Sequence, residues 1–180
     1  MKRNMLKILV YSICIITVLF SVACDKKTQP KRSPVPQIEI LPGAGNVSMK
    51  PETIAAAVNS EFTTDIMVNS GSQKVAAYGF QFTFNKDIIL VDTSKGTSGV
   101  EPGPDGYVVT QNANIPGSLI VAGFDVYGKG PGKELNFLKI YWKAVGKGKA
   151  PIDFKVKTLV DETTLEVGKP QGFSCEVTVE

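Results

Sequence analysis

Side chains able to run a reaction are scarce in this chain of 180 residues. It has no His, its Arg are Arg3 and Arg32, and its Cys are Cys14, Cys24 and Cys175. Acid–base and nucleophilic catalysis need a positioned acid, base or activated nucleophile, and what remains for that work is carboxylate, Lys, Ser, Thr and Tyr. A glycosidase-type pair needs only two carboxylates, but Asp65, Asp153 and Glu176 all fall at outward strand positions, where charge is the default. No GxxxxGK[ST] loop, GxSxG elbow, HExxH helix or EF-hand loop occurs, so an enzyme is not expected. Oxygen ligands for a hard cation are easier to find. Asp92, Glu101 and Asp105 flank or occupy the Gly-rich stretch 93–106, whose carbonyls could complete a calcium shell. These three are the calcium candidates, with solvated loop acids as the alternative, and no other cofactor is expected.

Cys24 is the residue whose position gives it a covalent chemistry. Lys2, Arg3 and Lys7 make a basic start, and residues 8–23 form an almost unbroken apolar run. That run is short for a membrane span and long enough for the core of a signal peptide. The stretch Ser21-Val22-Ala23-Cys24 resembles the lipobox of bacterial lipoproteins, with Ser21 where Leu is commonest. The resemblance implies that Cys24 is diacylated and becomes the new N-terminus; an ordinary cleaved signal with an incidental Cys is the alternative. Each buried CH₂ of an acyl chain contributes about 0.8 kcal/mol, so a multiply acylated Cys24 would hold the protein on a membrane. The expected organisation is a signal peptide at 1–23, a lipidated Cys and Pro/Lys-rich tether at 24–45, and one domain at 46–180, exported and lipid-anchored to the bacterial cell membrane. The tether carries Pro30, Pro34 and Pro36, which favour an extended spacer.

Charge narrows the partners. Of 20 basic and 17 acidic residues, 1–24 hold three basic and no acidic ones, and 25–45 hold four basic and two acidic ones. That leaves 13 Lys against 15 acids from Asn46 onward. A slightly acidic domain without Arg does not suit a nucleic acid. Cys175 is left with no intrachain partner once Cys14 is cleaved and Cys24 acylated, and its alternating context reads as a small buried hydrophobe.

The elements that must carry any site are strands. Phe80, Phe82 and Phe84 recur with a period of two around Gln81 and Thr83, which puts the rings on one sheet face and the polar groups on the other. Residues 61–69 alternate in the same way, with Phe62, Thr64, Ile66 and Val68 inward. So does 134–145, with Leu138, Ile140, Trp142 and Ala144 inward, and so does 152–157. Further strands are read at 47–50, 88–91, 107–111, 118–124 and 173–179, the last with Phe173, Cys175, Val177 and Val179 inward. Residues 51–60 read as an irregular edge or second half-strand, 93–106 as the longest loop and 126–133 as a flexible connection. The expectation is an all-β, antiparallel two-sheet sandwich of the jelly-roll kind with about nine strands.

The succession Phe62-x-Thr64-x-Ile66-x-Val68, then Gly79-Phe80-Gln81-Phe82-Thr83-Phe84-Asn85-Lys86-Asp87-Ile88-Ile89, then Gly123-Phe124 and Leu138-x-Ile140-x-Trp142 resembles the cohesin domain and related carbohydrate-binding sandwich modules. The resemblance covers about Asn46 to Glu180. It implies a sheet face that docks a dockerin-like or other secreted protein. Many cohesins place an Asn, and two residues on an Asp, just ahead of the aromatic alternation; here Ala77 and Gly79 stand at those positions. The candidate docking residues are Gln81 and Thr83, with Tyr78 at the edge. A polysaccharide is the alternative ligand, and needs exposed aromatics in a row, for which Tyr107, Tyr127 and Tyr141 are the candidates. A structural envelope lipoprotein without a dedicated ligand is the third reading.

Overall fold

A computed structural model describes residues 43–180. The signal peptide, Cys24 and nearly all of the tether lie outside the described residues. The described chain forms twelve strands: β1 (Asn46–Lys50), β2 (Thr53–Ala56), β3 (Glu61–Val68), β4 (Val75–Thr83), β5 (Ile89–Val91), β6 (Val100–Pro102), β7 (Thr110–Asn112), β8 (Ser118–Lys129), β9 (Leu135–Ala144), β10 (Gly148–Val160), β11 (Gln171–Phe173) and β12 (Cys175–Val179). They build two six-stranded sheets. The first runs β11-β1-β3-β9-β5, with β6 also paired to β9; the second runs β2-β12-β10-β4-β8-β7. Pairing is antiparallel except for β1 with β11 and β2 with β12. This is a two-sheet jelly-roll sandwich.

Alternation makes the core. Phe80 and Phe82 of β4 point inward beside Phe154 of β10, and the rings of Phe82 and Phe154 stack at 4.7 Å. From the opposite sheet come Ile66, Val68, Leu138, Ile140 and Trp142, all fully buried. Burying each such side chain contributes roughly 1.5–3 kcal/mol, and the facing layers are what a half-apolar strand requires. Trp142 hides its indole by donating from Nε1 to Thr64 Oγ1 at 2.9 Å, so neither polar group is orphaned. Cys175 is fully buried, and burial followed by the neighbouring Glu176 pushes its thiol up to about 11. It packs as a small hydrophobe.

Several expectations change. There are twelve strands rather than about nine: β2 forms within 51–60 by pairing in parallel with β12, β6 forms within the expected long loop, and the last expected strand is divided at Ser174 into β11 and β12. β6 sits inside the expected long loop because Val100, Glu101 and Pro102 pair with Ile140, Lys139 and Leu138 of β9. β8 continues to Lys129 through the stretch expected to be a connection. β7 begins at Thr110 rather than at Tyr107. Phe173 is 41% exposed rather than inward, because the chain crosses from one sheet to the other at Ser174 and the alternation is reset there. Phe137 is fully buried beside Leu138 because a register shift in the β3–β9 pair places an extra residue on β9.

Candidate functional site

Register on the β10-β4-β8-β7 sheet decides what its outer face presents. Gln81 lies between Ile120 of β8 and Lys155 of β10, and Thr83 between Ser118 and Asp153. One rung along, Gly79 lies between Ala122 and Thr158; beyond it Ala77 lies between Phe124 and Val160. β7 adds Asn112 beside Ile120 and Thr110 beside Ala122. The middle of the face is therefore low, made of Ala77, Gly79 and Ala122. Taller apolar groups stand along β8.

Most large hydrophobic side chains exposed among the described residues gather here: Val109, Ile115, Ile120, Phe124, Val126 and Tyr127 flank or belong to β7 and β8. Phe124 is 60% exposed and Tyr127 82%. The β4–β8 register explains the last two. Phe124 pairs with Ala77 while Lys129 pairs with Val75, so residues 125–128 bulge from the sheet end. Asp125 Oδ1 accepts the Tyr127 N–H at 2.8 Å, and Lys129 Nζ lies 3.7 Å from Asp125 Oδ2. Gly128, at φ 61°, closes the turn. Contiguous exposed apolar surface on a soluble domain marks a contact site more often than it marks chance. The sequence signal for it was the run LIVAGF at 119–124, apolar on both faces of a strand for which no covering layer was left.

Gln81 is part-buried and Thr83 exposed, both on this face. Tyr78 is not. It is 2% exposed and points inward in phase with Phe80, stacking on that ring at 4.6 Å. Its hydroxyl donates to the carbonyl of Tyr107, and the hydroxyl of Tyr107 donates to the Val75 carbonyl at 2.9 Å. Burial raises both phenols well above the ordinary tyrosine value; for Tyr78 the neighbouring Tyr107 adds to this, and for Tyr107 the charge of Asp125 does. Gly123 makes room for this pair, since a Cβ there would come within 2.3 Å of Tyr78 Cε1. The two tyrosines fasten the segment before β7 to the core.

The tyrosines proposed as a sugar platform do not form a row. Tyr107 packs against Tyr78 and Phe137, Tyr127 projects from the β8 bulge, and Tyr141 lies on the outer face of the opposite sheet, donating to Glu101 Oε2 at 2.7 Å. That bond, then burial and the nearby Glu101 and Asp65 charges, raises the Tyr141 pKa. The calcium candidates are likewise dispersed. Asp92 accepts from Ser94 in its own turn, Glu101 from Tyr141, and Asp105 Oδ2 from the Asn136 N–H at 3.0 Å. Among the described residues no group of three His, Cys, Asp or Glu is placed to hold a metal.

No family model matches the sequence, and no curated protein matches it. Solved structures do. The sixth cohesin of scaffoldin B from Acetivibrio cellulolyticus, solved in complex with the Cel5 dockerin, superposes with a TM-score of 0.60 at 14% identity over 75% of this chain and 98% of that one. The fold is that of a cohesin module. A non-cellulosomal cohesin from the archaeon Archaeoglobus fulgidus gives 0.59 at 9% identity over 75% and 90% of the two chains. A type III cohesin from the cell-surface anchoring scaffoldin ScaE of Ruminococcus flavefaciens gives 0.58 at 14% over 75% and 87%. At these identities the likeness is one of fold. Within the cohesin fold, Ala77 and Gly79 occupy the centre of the apolar-studded face, where their lack of bulk leaves β8 to supply the relief.

Proposed function

We propose that this domain docks another protein through the outer face of the β10-β4-β8-β7 sheet, and that the chain is exported and held on the bacterial membrane by an acylated Cys24. The observation that carries the docking reading is exposed Ile120 and Phe124 beside a low floor of Ala77, Gly79 and Ala122, with Val126 and Tyr127 exposed on the adjoining bulge. Aromatic anchors over a low floor suit an apolar helix or strand of a partner, with Gln81, Thr83 and Lys155 supplying directional contacts at the rim. The cohesin fold supports this, since a structural neighbour was solved with a dockerin bound. The partner proposed is dockerin-like in shape. Its contacts would be more apolar than those made by a face with Asn and Asp at the Ala77 and Gly79 positions.

The test is surface plasmon resonance of the immobilised full-length protein against a panel of dockerin modules, with Phe124→Asp as the decisive variant. Truncating or charging an aromatic anchor costs about 2 kcal/mol or more, roughly 30-fold in affinity. A panel without binders, or a binder indifferent to Phe124→Asp, would sink the docking reading. For the anchor, incorporation of labelled palmitate that disappears in Cys24→Ala is the expected result, and a Cys24→Ala protein that still sediments with membranes opposes it.

A further inference from the structure

The two long strands that flank β4 give the docking face different chemistry on its two sides. β8 supplies Ile120 and Phe124; β10 supplies Lys155 beside Gln81, and then Lys157 and Thr158 beside Gly79. The second pair exists because of a bulge. Val156 lies in register with Phe80 and Thr158 with Gly79, so Lys157 is the extra residue, and the inward positions Val156 and Leu159 are separated by two exposed ones. Both exposed side chains reach the outer face: a Cβ on Gly79 would lie 3.5 Å from Thr158 Cβ and 3.8 Å from Lys157 Cβ. A strictly alternating β10 would present one of them.

These cations have no partner within the domain. The ion pairs among the described residues engage Lys50, Lys86, Lys95 and Lys129, and neither Lys155 nor Lys157 has a carboxylate within reach. Acids on this face stand at its two ends. Asp153 is beside Thr83 at one; at the other, Asp125 is held by Lys129 and Glu166 bridges Val160. A basic centre thus runs against the balance of a domain with 13 Lys and 15 acids.

The low row of Ala77 and Gly79 separates the apolar side from the basic side. β8 and β10 are two strand spacings apart, about 10 Å, which matches the diameter of about 10–12 Å of a helix with its side chains. An occupant lying on a face whose strands are already paired must satisfy its own backbone hydrogen bonds, and a helix does so. Lys155 and Lys157 are about 7 Å apart along β10, close to the rise of about 6 Å between residues i and i+4 of a helix.

We propose that the partner segment seated on this face is an acidic amphipathic helix, its apolar stripe against Ile120, Phe124 and the low row, and carboxylates one turn apart against Lys155 and Lys157. This rests on the docking reading of the same face and adds the chemistry of the partner. Lys157, placed outward by the bulge, is a specificity-determining residue, since it selects against a partner that is basic on that flank.

The experiment is fluorescence anisotropy of the full-length protein with two labelled helical peptides of about 18 residues. Both carry the same Leu stripe; one has Glu at flanking i and i+4 positions and its twin has Lys there. The Glu peptide should bind about tenfold more tightly, roughly threefold for each exposed ion pair, and salt should narrow the gap. Lys155→Glu combined with Lys157→Glu should exchange the preference, which loss of fold would not do, while Lys139→Glu on the other sheet should leave it as it was. Phe124→Asp should weaken both peptides alike. Binding of neither peptide, equal binding of the two, or a preference that survives the double charge reversal would each overturn the proposal. Equal binding that Phe124→Asp abolishes would do so while leaving the docking face in place.

Discussion

The outer faces of the two sheets are built from the same alternating strands and have opposite surface chemistry. On the β10-β4-β8-β7 side the projecting apolar groups along β8 are Ile120 and Phe124, with Val126 and Tyr127 exposed on the bulge that follows. On the other side they are Lys50, Asp65, Lys139, Tyr141 and Glu101, tied into local pairs such as Tyr141 with Glu101 and Lys95 with Glu61. Period-two patterning determines which side chains leave the core; it is silent on what an outward position is for. A polar outward position is the solvated default, whereas an apolar one has a standing desolvation preference that a partner can satisfy. The first sheet therefore offers hydrogen-bonding relief around one exposed ring, and the second offers grease.

That contrast can be broken from the inside first. Trp142→Ala should lose about 3–5 kcal/mol in urea denaturation, since it removes the largest fully buried side chain and opens a cavity between the sheets. Both faces should fail together, and a midpoint near that of the unmodified protein would mean that the sheets are supported separately. Phe124→Asp sharpens the comparison from the outside: affinity for a docking partner should fall about 30-fold while stability moves by no more than about 0.5 kcal/mol. Tyr141→Phe on the opposite face should leave docking unchanged, and a shared loss would erase the distinction.

Asp161 gives an intermediate effect that belongs to neither face. Burial opposes its charge, but hydrogen bonds from Thr163, from Gln73 Nε2 at 3.1 Å and from the Leu165 and Thr163 N–H groups prevail, so its pKa is lowered. With the folded value below the unfolded one, the stabilisation is complete above the ordinary carboxylate range of about pH 4 and is lost as pH falls through the depressed folded value. Asp161→Asn should flatten the acid limb of a stability-versus-pH curve without altering docking, and an unchanged limb would remove Asp161 from that account. The smallest effect is expected at Lys95, whose exposed pair with Glu61 at 3.1 Å is screened by water. Lys95→Ala should leave the urea midpoint within measurement scatter at low and high salt alike.

Much of this architecture was legible in the residues. The alternation at β3, β4 and β10 carried through, and so did Trp142 in the core, because each of these strands buries one face against a full layer. Phe137 escaped the pattern, since a single-residue bulge breaks the period locally and nothing in the composition announces it. Phe173 did so for another reason: residues 173–179 look continuous, but the sheet crossover at Ser174 belongs to the topology. Tyr78 was in phase with the rings all along, and a polar hydroxyl drew it wrongly to the surface; the Tyr107 carbonyl that satisfies it comes from a segment 29 residues away. The apolar line on β8 was present as LIVAGF, but whether such a run is buried on both sides depends on how many layers the fold supplies.

The parallel pairs β1–β11 and β2–β12 have a mechanical consequence. Asn46 sits beside Gln171, and Ala56 beside Val179, so the chain enters at one extremity of these paired segments and leaves at the other. A load drawing Asn46 and Val179 apart slides those strands lengthwise past each other. The seven registered positions would then have to yield together, where a hairpin pulled from its open end would unzip one rung at a time.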